Sequence, residues 1–134
     1  MQQYERPNPS LDDGHVLIVE DERVSRKALA LLLDACGYRT VAAGSAEEAL
    51  RLLTSDDAPD IALVDVDLPG MSGLELAELL EVSKPRMFTV LITAAEGDRI
   101  RNFLREHPVA YLRKPLDFDH LLDLLSEIHA PQRQ

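Results

Sequence analysis

Hydrophobic residues along this chain follow two alternating periods. Continuous apolar and β-branched runs at residues 16–19, 61–64 and 88–92 predict strands buried on both faces. A mixed run at residues 38–43 predicts an edge strand, and a short one at 110–112 a fifth strand. Between these runs the period changes to that of a helix. Leu29, Leu32, Leu33 and Cys36 fall at i, i+3, i+4 and i+7, ahead of a closing Gly37; Ala46, Ala49, Leu50 and Leu53 repeat the spacing, and so do Leu121, Leu124, Leu125 and Ile128. Ser45-Ala46-Glu47-Glu48 and Ser72-Gly73-Leu74-Glu75 have the form of capping boxes, each opening a helix. A helix over about residues 98–106 is the weakest, with only Ile100, Phe103 and Leu104 to face inward, and it should move easily. Strands alternating with helices at this spacing predict an α/β domain, doubly wound on a parallel sheet with right-handed crossovers. The polar stretch at residues 1–14, with two prolines, reads as a loose extension; residues 15–129 form the domain, and 130–134 a tail or the start of a linker.

Composition narrows the picture. A chain of 134 residues with 46% hydrophobic content suits one domain with a single core. Three Phe, three Tyr and no Trp make that core mostly aliphatic. The formal net charge of −10 argues against direct binding of nucleic acid, because phosphate contacts need a basic face. The lone Cys36 cannot form an internal disulfide, which fits a reducing compartment, and its place in a helical apolar pattern predicts core burial. His15, His107, His120 and His129 show no zinc-type spacing with it and read as surface or rim residues. The N-terminus has no apolar signal region and no run is long enough to span a membrane, so a cytoplasmic protein without membrane contact is expected.

The candidate chemistry lies where apolar runs end. Glu20 and Asp21 follow the first run, Asp65 the third, Thr93 the fourth, and Lys114-Pro115 the fifth. If the runs are parallel neighbours, these ends converge on the edge where open α/β sheets place their ligands. Three carboxylates about 4 Å apart repel by roughly 4 kcal/mol per pair at an effective dielectric near 20, so the cluster requires a cation. Oxygen-only donors point to Mg²⁺.

In their order, these motifs resemble the receiver domain of two-component response regulators, of the chemotaxis-regulator type, over residues 15 to 129. The acidic pair, Asp65 followed by Leu68-Pro69-Gly70-Met71-Ser72-Gly73, Thr93 with the small Ala94, and Lys114-Pro115 carry the likeness. It implies a flavodoxin-like sheet of order 2-1-3-4-5 and a phosphoacceptor role for Asp65, giving an acyl phosphate. Mg²⁺ would be held by Asp21 and Asp65 directly, by the backbone carbonyl of Asp67, and by Glu20 through a water, since the family most often has Asp where Glu20 stands. Thr93, Ala94 and Lys114 would bind or border the phosphoryl group, Tyr111 would be the switch aromatic, and the bond to Pro115 would be cis. The side chain of Asp67 and Ala95 would border the path of hydrolytic water.

The resemblance also implies partners. A sensor histidine kinase or histidine phosphotransfer protein would supply the phosphoryl group, and the fourth helix, fifth strand and fifth helix would form the output surface toward an unidentified output domain or target. Arg99, Arg101, Arg105 and Arg113, with Asp117, Asp119, Asp123 and Glu127, could form reciprocal salt bridges in a phosphorylation-dependent homodimer. Such a domain is a signalling module rather than an enzyme. Two other readings are carried forward: a haloacid-dehalogenase-like phosphohydrolase, suggested by Asp65-Val66-Asp67, and a pseudo-receiver that acts without phosphorylation.

Overall fold

The parallel sheet that the apolar runs predict is present. In the computed structural model, which describes residues 14–54, 57–94 and 97–129, the order of elements is β1 (His15–Val19), α1 (Arg23–Ala35), β2 (Arg39–Ala43), α2 (Ala46–Leu52), β3 (Ile61–Asp65), α3 (Gly73–Ser83), β4 (Phe88–Thr93), α4 (Asp98–Glu106), β5 (Ala110–Arg113) and α5 (Phe118–His129). The strands pair in parallel in the order β2-β1-β3-β4-β5. The expected extension, tail and Ala95 lie wholly or almost wholly outside the described residues.

Alternate residues of each central strand face opposite layers, which explains why the runs are continuous. Leu17, Val19, Ala62, Val64 and Leu91 pack with α2, α3 and α4, while Val16, Ile18, Ile61, Leu63, Val90 and Ile92 pack with α1 and α5. Leu33, Leu80, Leu121 and Leu125 are fully buried from the helical side, so the mostly aliphatic core is as composition requires. Among the described residues, no helix is long and apolar enough to cross a membrane.

Local chemistry sets the ends. Ser72 and Glu75 form the full capping box of α3, each side chain bonding the other's backbone N–H. At α2 only half of the box forms: Ser45 Oγ accepts from the N–H of Glu48 at 3.1 Å, but the Glu48 carboxylate turns to the N–H of Gly44 at 2.7 Å. Gly37, at φ 102°, reverses the chain after α1 as a glycine can.

Three expectations need correction. Cys36 is exposed, because α1 ends at Ala35 and the chain leaves helical geometry before the i+7 position is reached; Leu29 and Leu33 alone form the fully buried stripe. Tyr38 lies outside β2, its N–H bonded to the Leu33 carbonyl in the helix-ending turn. Strands β4 and β5 each extend one residue further than expected, to Thr93 and Arg113, which pair with each other. Helix α4 has the expected bounds, with Ile100 and Phe103 buried and no side-chain cap at Gly97.

Candidate functional site

Backbone bonds that run past the strand ends fix the site's framework. Glu20 N–H donates to the Ala43 carbonyl (3.0 Å), Val66 N–H to Ile92 (2.9 Å), and Lys114 N–H to Thr93 (2.9 Å), so the residues just beyond β1, β3 and β5 are held in line with the sheet. The chain after β3 then turns at Gly70, whose φ of 74° suits glycine. Gly73 N–H returns to the Val66 carbonyl at 2.9 Å, seating the start of α3 on the end of β3.

On this frame the predicted residues converge. One carboxylate oxygen from each of Glu20, Asp21 and Asp65 lies within 4.8 Å of the others. Lys114 Nζ is 3.0 Å from Asp65 Oδ2 and 3.7 Å from Glu20 Oε1. Asp65 Oδ1 accepts the N–H of Asp67 at 3.0 Å, and Glu20 Oε2 accepts that of Glu22 at 2.9 Å. Glu20, Asp65 and Thr93 are buried, and Asp21 is exposed. Glu22, the third acid in its row, is committed elsewhere. It caps α1 through the Ser25 hydroxyl and N–H, and these bonds hold its carboxyl below the usual range.

The electrostatics call for a cation. Burial, reinforced by the charges of Asp65 and Asp21, pushes the Glu20 carboxyl up despite the Glu22 N–H and Lys114, which oppose the rise. Burial alone would lower Lys114, but its hydrogen bond with Asp65 and the charges of Asp65 and Glu20 overcome this and hold the ammonium above its ordinary pKa. One ammonium among three carboxylates leaves excess negative charge on hard oxygen donors, and this donor set fits Mg²⁺.

The remaining predicted residues stand on or just after β4 and β5. Thr93 ends β4, buried, and the adjacent Ala94 is exposed. Tyr111 on β5 is 47% exposed. The Lys114–Pro115 bond is cis, as the family likeness implies. Of the basic residues near α4, Arg101 pairs with Asp98 of its own helix at 2.7 Å, and Arg105 bonds Asn102 at 2.7 Å.

Two residues escaped sequence reasoning. Arg26 Nη1 donates to the carbonyl of Glu20 at 2.9 Å and approaches that of Asp21 at 3.3 Å. Glu47 Oε2 accepts the N–H of Met71 at 3.2 Å, tying α2 to the loop after Asp65. Neither contact leaves a signal in periodicity or motif spacing, because each partner is a backbone atom.

Fold and site together define a flavodoxin-like α/β domain whose carboxyl edge carries an acidic, lysine-paired pocket. The chain belongs to the response regulator receiver domain family, whose model matches residues 16–126. It is 38% identical over 112 residues to response regulator protein FleR of Pseudomonas aeruginosa, covering 83% of this chain and 24% of FleR. The chain spans between 24% and 48% of the first three curated relatives it matches. Among solved structures, a CheY-like receiver domain protein of Methanospirillum hungatei superimposes with a TM-score of 0.83 at 27% identity, covering 90% of this chain and 97% of that one. TrrA of Thermotoga maritima, solved with Mg²⁺ and BeF, gives 0.75 at 30% identity, covering 85% and 97%. Receiver domains are typically non-enzymatic signalling modules that interact with histidine kinases or phosphotransfer proteins, and the acidic cluster here occupies the expected position.

Proposed function

We propose that Asp65 accepts a phosphoryl group from the phosphohistidine of a sensor kinase or phosphotransfer protein, in a Mg²⁺-dependent reaction in the cytoplasm. The observation that carries this reading is the placement of Asp65, with Lys114 Nζ 3.0 Å from Oδ2 and the carboxylates of Glu20 and Asp21 beside it. A carboxylate oxygen of Asp65 attacks phosphorus; the P–O bond forms as the P–N bond breaks, and the imidazole leaves with its electron pair. Lys114 offsets the charge on the phosphoryl oxygens, since this transfer depends mainly on positioning and electrostatics. Asp21, Asp65 and the Asp67 carbonyl would hold Mg²⁺, which supplies further charge neutralisation. Glu20, with one oxygen held by Glu22, would act through water. The donor approaches along a groove beside Glu20 and Lys114, lined by Ala28, Leu29, Ile92, Pro115, Leu116 and Phe118.

The phosphohydrolase alternative is disfavoured by Asp65 lying on the third strand of a receiver sheet. The receiver unit is taken as residues 15–129, with output carried by another protein or another domain. The test is incubation with acetyl phosphate and Mg²⁺. One phosphoryl group should be mapped by mass spectrometry to Asp65, and chelation by EDTA should prevent it; an unlabelled protein would establish the pseudo-receiver reading instead.

Adding about two negative charges beside Lys114 and Thr93 would bias the loop after β4, the uncapped α4 and Tyr111 toward a second arrangement. The α4-β5-α5 face is then the output surface, and a dimer across it would bring Arg99, Arg101, Arg105 and Arg113 toward the acids of α5. Thr93→Ala is expected to accept phosphate yet lose most amide shift changes in α4 and Tyr111 when Mg²⁺ and beryllium fluoride are added. Unaltered shift changes in that variant would reduce Thr93 to a strand-end residue.

A further inference from the structure

Arg26 occupies the N-terminal end of α1, where the first turn contains no acidic residue and Arg23 and Lys27 add further positive charge. A helix N-terminus weakly disfavours cations, so a guanidinium there gains from acceptors outside the helix. The Glu20 and Asp21 carbonyls are such acceptors. Nη1 donates to the Glu20 carbonyl at 2.9 Å and lies 3.3 Å from that of Asp21, and these are two of the three residues whose carboxylates form the cluster. The Glu20 peptide is thus fixed from both sides, its N–H by Ala43 and its carbonyl by Arg26.

The turn after β2 leaves room for this reach. A Cβ at Gly44 would stand 3.1 Å from Arg26 Nη1 and 3.7 Å from Glu48 Oε1, the oxygen that binds Gly44 N–H.

We propose that Arg26 is a positioning residue of the divalent-cation site: it aims the Glu20 and Asp21 side chains at Asp65 by holding their carbonyls. This rests on the metal-binding reading of the cluster given above. Arg26 touches neither the phosphoryl group nor the cation.

The experiment is a Mg²⁺ titration of the unphosphorylated protein, followed by amide shifts, with melting temperatures recorded alongside. Groups that orient metal ligands typically cost about 10- to 100-fold in affinity when removed, so Arg26→Met should weaken Mg²⁺ binding by about tenfold. Arg26→Lys keeps the charge but loses the planar fork, and should recover part of that loss. Gly44→Ala, which displaces the guanidinium without removing it, should weaken binding to a smaller degree. A residue that merely stabilised the fold would lower the melting temperature and leave the Mg²⁺ affinity alone. Wild-type affinity in folded Arg26→Met overturns the proposal, and so does an Arg26→Lys variant no better than Arg26→Met. If Arg26→Met melts too low to titrate, wild-type affinity in both Arg26→Lys and Gly44→Ala overturns it equally. Asp21→Asn separates the two layers: if it binds Mg²⁺ as the unmodified protein does, the metal reading of the cluster falls and takes this proposal with it.

Discussion

Asp65→Asn is expected to take up no phosphate from acetyl phosphate or from a phosphorylated kinase, while remaining folded and no less stable in Mg²⁺-free buffer. Loss of labelling follows from chemistry, because an amide oxygen does not attack phosphorus as a carboxylate does. The stability is a matter of competing charges. Asp65 attracts Lys114 at 3.0 Å but stands within 4.8 Å of two other carboxylates. At an effective dielectric near 20, unit charges 3 to 5 Å apart interact by about 3 to 5 kcal/mol, so two repulsions match or exceed one attraction. Asparagine removes all three while keeping the shape that accepts the Asp67 N–H. Thermal melts should therefore place the variant level with or slightly above the unmodified protein without Mg²⁺. With Mg²⁺ in excess the order should reverse, since only the intact cluster gains stability by binding the ion. Stoichiometric labelling of Asp65→Asn at some other residue would overturn the assignment of the phosphoacceptor.

The parts of this site that were legible in the sequence are those whose position follows from topology. Once the apolar runs are parallel strands, Asp65, Thr93 and Lys114 must share an edge, because each stands at the same end of its strand. The continuity of those runs likewise foretold two-sided burial. Contacts to backbone atoms were not legible. Arg26 bonds carbonyl oxygens and Glu47 bonds an N–H 24 residues away, and neither partner leaves a trace in hydrophobic period or motif spacing. Glu48 shows the same limit at short range. Its spacing from Ser45 suits a capping box, yet the neighbouring Gly44 N–H offered its carboxylate a competing donor at 2.7 Å. Cys36 failed for a different reason: periodicity assumes that the helix continues, and α1 stops one residue before the position that would have been buried.

The second large effect expected is from a single methyl group at Gly73. A Cβ there would lie 2.2 Å from the carbonyl oxygen of Asp65, 2.7 Å from Val66 Cα and 2.9 Å from Asp65 C, all of them backbone atoms that cannot rotate aside. Helix propensity favours alanine over glycine by about 1 kcal/mol in a helix interior, so the sign rests on which effect is larger. Overpacking costs about 1 to 3 kcal/mol where side chains can adjust, and here the neighbours are backbone at the end of a central strand, so the clash dominates. Relief requires the first turn of α3 to lift from β3, which breaks the bond from Gly73 N–H to Val66 and disturbs the burial of Leu74, Leu76, Ala77 and Leu80. For a domain of this size a loss of about 3 kcal/mol lowers the melting temperature by about 10 °C. The same movement shifts the Asp65 peptide, so Gly73→Ala should also be phosphorylated more slowly under conditions where it is still folded. Gly97→Ala is the control, because among the described residues its added methyl would meet nothing within 4 Å and its φ of 175° is open to any residue; it should melt within about 2 °C of the unmodified protein. Gly73→Ala melting as high as Gly97→Ala would mean that the close approach of α3 to the phosphoacceptor strand is not required by the fold.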